Sequence, residues 1–189
     1  MELQYLMVKI YCAGSEGIIL DDFTPMFNKW IQENESDKVL VDVASYGHVP
    51  YGPGILLIGH DENYSMEYGV ENKLGLLFSV KEERAGSNIE RVEYAIKAAV
   101  AACKKIMQDE DYKDKIKFDF NGLVVSINDR CIVGNTEDGF KFIDAEFKDL
   151  FCKYFSKKSV KIEKVSQDPR DRLAIRVSAG DSFVHLPSV

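Results

Sequence analysis

The chain has no apolar run of eighteen residues or more and no signal-peptide h-region near its first residue. A membrane-spanning helix and a cleaved leader are therefore not expected, and the sequence reads as that of a cytoplasmic protein without membrane attachment. No C-x-x-C pair links Cys12, Cys103, Cys131 and Cys152, which removes zinc knuckles and thioredoxin-like motifs and fits a reducing compartment. Cys12 and Cys103 lie in apolar runs and read as small core residues. Walker A, Rossmann G-x-G-x-x-G, G-x-S-x-G and H-E-x-x-H motifs are all missing, and with them the usual support for nucleotide hydrolysis and serine-hydrolase chemistry. A net positive charge is missing as well: with 24 Lys and Arg against 31 Asp and Glu, the formal net charge of −7 works against nucleic-acid binding, which needs a basic footprint. The basic lean from Lys153 to Arg176, offset by Glu163, Asp168 and Asp171, reads as a solvated face.

With 189 residues, 46% of them hydrophobic and 29% charged, the chain is long enough to bury a substantial interior. The pattern predicts a single α+β domain over residues 1–180, with 181–189 as a flexible or contact tail. Its sheet is expected to be mixed and mostly antiparallel, covered by about three helices in a two-layer sandwich. Residues 3–12 form a first strand, ended by Gly14-Ser15-Glu16-Gly17. Phe23, Met26, Phe27, Trp30 and Ile31 then fall at helical spacing over 23–34, with Pro25 tolerated in the first turn.

Residues 39–44 read as a second strand, and the strand, helix, strand order implies a parallel pair with the first. The run 54–59 is a third, buried strand. Only residues 45–53 separate it from the second, too few for a parallel crossover, so an antiparallel return follows. Residues 61–73 read as a polar loop leading to a fourth strand over 74–82.

Ser87 and Glu90 have capping-box spacing and open the longest helix, which runs to about residue 108 with Ile89, Val92, Ile96, Ala99, Val100, Cys103 and Ile106 on one face. Asn121-Gly122 predicts a type I′ hairpin. A third helix from Asn135 or Thr136 buries Phe140, Ile143, Phe147, Leu150, Phe151 and Tyr154, and residues 160–165 and 173–177 form a last hairpin.

The stretch from Asp42 to Tyr64 is densest in groups that do chemistry. His48, His60 and a carboxylate such as Asp42 or Asp61 have the composition of a two-histidine, one-carboxylate metal site. Strand geometry opposes it: about six residues at about 3.3 Å each place the imidazoles roughly 20 Å apart, so no metal is assigned. The same bookkeeping gathers His48, Tyr46, Tyr51, Gly52 and Gly54 at one sheet edge with Arg84, Ser87 and Asn88. Arg84 and the helix amides then suit an anionic or carbonyl-bearing small molecule, with His48 as proton carrier or hydrogen-bond donor. Each member also has a plain structural reading: a shaped loop, a solvated charge, a helix cap, a packed histidine. At the opposite edge His60 and Asp61, followed by Glu62 and Tyr64, form a secondary candidate that holds a cation or orients a histidine base; its plain reading is a polar loop. No cofactor can be named from these residues.

The strings Ser45-Tyr46-Gly47-His48-Val49-Pro50, Gly52-Pro53-Gly54 and Gly59-His60, with Asn128-Asp129-Arg130 and Asp168-Pro169-Arg170 later, resemble a family of uncharacterised bacterial proteins. That resemblance implies a bacterial cytoplasmic protein and carries over no catalytic residue. Two function classes remain. One is a small-molecule-binding protein or enzyme using the His48 edge. The other is a non-catalytic interaction or homo-oligomerisation module, suggested by the alternating last hairpin and by Phe183 and Leu186 in the tail.

Overall fold

Side chains alternate across a strand, so each strand divides its residues between two faces. The structure, a computed structural model, describes residues 1–15, 17–33, 38–69, 71–155 and 160–178; the expected tail lies outside them. The elements are β1 (Leu6–Ser15), α1 (Phe23–Glu33), β2 (Leu40–Ser45), β3 (Ile55–Gly59), β4 (Glu62–Glu67), β5 (Gly75–Val80), α2 (Asn88–Gln108), β6 (Ile116–Phe118), β7 (Gly122–Ile127), α3 (Glu137–Tyr154), β8 (Lys161–Lys164) and β9 (Ala174–Ser178). The sheet order is β2-β3-β4-β5-β1-β7-β9-β8, with β6 paired to β1. Every pairing of these strands is antiparallel.

The expected antiparallel return from β2 to β3 is formed, Ala44 opposite Leu56. The expected parallel pair of β1 and β2 is not. They run in the same direction, but β3, β4 and β5 stand between them, because short links let each of these pair with its predecessor and β5 then closes on β1. The segment read as a polar loop contains β4. Asn121-Gly122 is not a type I′ turn: neither residue has positive φ, and β6 and β7 both run antiparallel along β1, with Phe118 opposite Cys12 and Val124 opposite Lys9. Asp119 Oδ1 accepts from Asn121 N at 2.9 Å and from Asn121 Nδ2 at 2.7 Å, a local side-chain capture that competes with the turn.

One row across the sheet, Leu57, Tyr64, Phe78, Val8, Val125 and Ile175, belongs to the hydrophobic core together with Phe23 and Phe27 of α1, Val92 and Ile96 of α2, and Ile143, Phe147 and Phe151 of α3. Ile89, expected on the core face, is 43% exposed. The first turn of α2 is held to the residues before β1 instead, through Asn88 Oδ1 accepting from Leu3 N at 2.8 Å and Arg91 Nη1 donating to Leu3 O at 3.4 Å. The last hairpin forms as expected, β8 on β9. No helix among the described residues is long and apolar enough to cross a membrane. The alternate row, Leu56, Ser65, Leu77, Lys9, Val124 and Arg176, faces away from the helices.

Candidate functional site

On that second face, Met7, Lys9 and Tyr11 of β1 lie beside Leu77 of β5, Val124 and Ser126 of β7 and Ala174 of β9. Together with Tyr51, Pro53, Glu67, Gly69, Glu71, Val165, Ser166, Asp171 and Arg172 they line a groove of about 480 Å³, to which no helix contributes. That volume falls in the ordinary range for small-molecule sites, roughly 300–1,000 Å³.

Lys9 occupies the middle of this face at 7% exposure. Taking an ammonium out of water is costly unless it is paired. Here Nζ donates to Glu67 Oε1 at 3.0 Å and to the Tyr68 carbonyl at 3.2 Å, and lies 5.2 Å from the centroid of the Tyr11 ring. Gly69 makes room for it, since a Cβ there would sit 2.8 Å from the Lys9 ammonium. Next to this pair, Arg176 binds Glu71 and the Tyr11 hydroxyl joins both. Burial first, then the charge of Glu71, pushes the Tyr11 phenol up to about 12, so at neutral pH it keeps its proton. Tyr11, Glu71 and Arg176 also line an adjoining cavity of about 490 Å³ with Asp119, Asn121 and Leu123.

The loop between β2 and β3 stands at one end of the groove. It is closed by backbone bonds from Tyr46 N to Gly54 O at 2.7 Å, Val49 N to Tyr46 O at 2.9 Å and Gly52 N to Val49 O at 3.0 Å. Tyr51 is 76% exposed and has φ of 58°, a left-handed conformation that costs a residue with a bulky side chain about 1–3 kcal/mol. Tyr51 and Gly69 line both the groove and a smaller cavity of about 310 Å³, whose walls include Tyr46, Gly52 and Gly54.

Of the residues expected at one edge, the structure gathers His48, Tyr46, Tyr51, Gly52 and Gly54 in this loop. His48 is exposed and lines neither the groove nor the smaller cavity. Arg84, Ser87 and Asn88 are at the opposite end of the sheet. The reason is β4: one additional strand reverses the direction of β5, so its C-terminal end leads away from the His48 loop. Ser87 is spent on the capping box with Glu90, and Asn88 Nδ2 binds the Met1 carbonyl at 2.9 Å and Glu146 at 3.1 Å. The Arg84 guanidinium carbon lies 3.5 Å from the centroid of the Tyr94 ring.

His60 and Asp61 stay together at that far end, His60 Nε2 3.6 Å from Asp61 Oδ1, both exposed. The two histidines thus flank β3 at opposite ends, as strand geometry requires. Among the described residues no group of three or more His, Cys, Asp or Glu is placed to hold a metal ion. Sequence reasoning missed Lys9, Tyr11, Glu67, Glu71 and Arg176. Only Lys9 left a local signal, a cation inside an otherwise apolar strand; Glu71 and Arg176 meet across 105 positions. Comparison of the chain with protein-family models, with curated proteins and with solved structures finds no match.

Proposed function

We propose that the protein binds a small polar molecule on the helix-free face of its sheet, against Lys9, Tyr11 and Arg176, with the Tyr46–Gly54 loop at the mouth of the groove. The observation that carries this reading is the near-complete burial of the Lys9–Glu67 pair in a strand that could have closed the face with an aliphatic residue. A buried pair of this kind is a poor source of stability compared with packed apolar side chains. It does supply directional donors inside a low-dielectric cleft, which fits a ligand bearing a carboxylate or carbonyl group. The Tyr11 phenol keeps its proton at neutral pH and spends it on Glu71, so it fixes the position of Arg176 and Glu71 beside the groove. Because His48 does not line the groove, the reading is one of binding, with no proton-transfer step assigned to the imidazole.

A thermal-shift and ligand-observed NMR screen of carboxylic acids, phosphates and nucleotides tests it. Hits are expected to lose at least about tenfold in affinity, 1.4 kcal/mol, in Lys9→Met/Glu67→Gln, a pair of changes that avoids stranding one buried charge. His48→Ala should leave affinity within about twofold. A screen without hits removes the proposal; loss of binding in His48→Ala alone moves the site to the loop.

A second reading, self-association, is favoured by β2. It is an end strand of the sheet, and Val41 on it and Val39 just before it are exposed. Light scattering that shows a dimer in the wild type and a monomer in Val41→Lys supports it, whereas a monomer across the micromolar range removes it.

A further inference from the structure

Three aromatic side chains wall in the ammonium of Lys38. Its Nζ lies 5.5 Å from the ring centroid of Tyr64, 5.7 Å from that of Phe78 and 5.5 Å from that of Tyr94. Glu62, 3% exposed, closes the floor of this box. The Tyr64 hydroxyl donates to Glu62 Oε1 at 2.6 Å, the Tyr94 hydroxyl donates to Oε2, and Lys38 pairs with the same carboxylate. Lys38 Nζ also donates to Tyr64 Oη at 2.8 Å. Arg84 covers Tyr94, and Trp30 meets the edge of Tyr64 at 6.1 Å between centroids. The box opens on the helix side of the sheet, away from the groove, so it stands independently of the function proposed above.

Phe78 and Tyr94 turn rings toward the ammonium, and ring faces carry a negative quadrupole that attracts a cation. Tyr64 meets it at its hydroxyl edge, since 2.8 Å to Oη and 5.5 Å to the centroid place Nζ along the C–O axis, and so offers an oxygen lone pair. A carboxylate beneath them adds a full charge. Burial, followed by the charge of Glu62, raises the Tyr64 phenol well above its ordinary range, and burial with the hydrogen bond to Glu62 does the same for Tyr94. Both therefore stay protonated and donate, and the negative charge remains for the cation. A structural ion pair needs one carboxylate and one amine; it does not need two rings and a phenol oxygen converging on the amine as well. The box also selects among ammonium groups, because its polar contacts to Lys38 require N–H bonds, which a quaternary ammonium lacks. The occupant and its anion differ in exposure: the Lys38 side chain is 35% exposed and that of Glu62 only 4%. Lys38 reaches in from just before an end strand, β2.

We propose that Glu62, Tyr64, Phe78 and Tyr94 form a binding site for a primary alkylammonium group, that Lys38 fills this site from within the chain, and that a small alkylamine competes with Lys38 for it. Titration of the wild-type protein with butylammonium chloride, following the ε-methylene resonance of Lys38, tests the competition. The expected result is a saturable shift that tetramethylammonium chloride at equal ionic strength does not reproduce and that Glu62→Gln abolishes. In Lys38→Ala the same amine should bind roughly tenfold tighter or better, since the internal competitor is gone. The wild-type titration stands by itself if Lys38→Ala does not fold. An unmoved Lys38 resonance overturns the proposal, as do an equal response to tetramethylammonium, persistence of the shift in Glu62→Gln, and no gain in a folded Lys38→Ala.

Discussion

At the scale of single residues, Gly54 and Tyr51 set opposite demands on one loop. Gly54 has φ of 61°, and a Cβ there would run into the Met66 carbonyl oxygen of the neighbouring strand. Gly54→Ala therefore combines strain with a backbone clash, and urea unfolding is expected to show a loss of about 3 kcal/mol. Gly14→Ala, where a Cβ meets nothing within 4 Å, should fall within about 0.5 kcal/mol of the parent. Tyr51 is the reverse case, a large exposed side chain held at positive φ beside the groove. Strain kept at a surface position is expected to serve something other than stability. Tyr51→Gly should therefore cost no more than about 0.5 kcal/mol in unfolding experiments while weakening any ligand found for the groove.

Among the elements, α2 shows how local chemistry is read out of a sequence. The Ser87 hydroxyl accepts from Glu90 N at 3.3 Å, and Glu90 Oε2 accepts from Ser87 N at 2.7 Å. Ser87→Ala is expected to lower stability by about 1 kcal/mol. The hydrogen bonds from the Ser87 backbone and side chain hold the Glu90 carboxyl below its usual range. Its contribution is then fully present above the ordinary glutamate value and is lost as pH falls through the lowered one. Urea midpoints measured down through this window should fall less steeply for Glu90→Gln than for the wild type.

Such local signals made α1, α2, α3, the β8–β9 hairpin and the antiparallel return of β2 to β3 legible in the sequence. β4 was not, and the cause is one residue. Glu62, Tyr64 and Met66 share the core face, so a strand-like alternation exists, but its first member is charged. Glu62 is tolerated there because Lys38 and Tyr94, distant in sequence, meet it. No window around position 62 displays those partners. The consequence runs downstream, because one missing strand inverts the end to which β5 leads, and Arg84, Ser87 and Asn88 left the His48 edge for that reason alone. Asn121-Gly122 failed differently: the dipeptide permits a I′ turn, and the neighbouring Asp119 offered its amide groups another partner.

For the whole molecule, β1 is the strand that β5, β6 and β7 all contact. The amides of β1 in the span that pairs on both sides should exchange most slowly, near the global unfolding limit, with those of the end strands β2 and β8 exchanging first. Native-state hydrogen exchange that finds β2 as protected as β1 would contradict this hierarchy. A sheet whose central strand closes only through distant pairings, Leu6 opposite Ile127 among them, is also expected to fold slowly, on a millisecond-to-second scale, in stopped-flow refolding. Translation adds an asymmetry of its own. β1 emerges from the ribosome before any of its partners, and Gly75 of β5 must still be made; at about 5–20 residues per second the wait lasts several seconds. During that interval Leu6, Met7, Val8 and Ile10 form an unpaired aggregation-prone segment, interrupted by a single charge. Lys9 is then solvated and acts as a gatekeeper of the nascent chain, a duty that ends once the sheet closes around it.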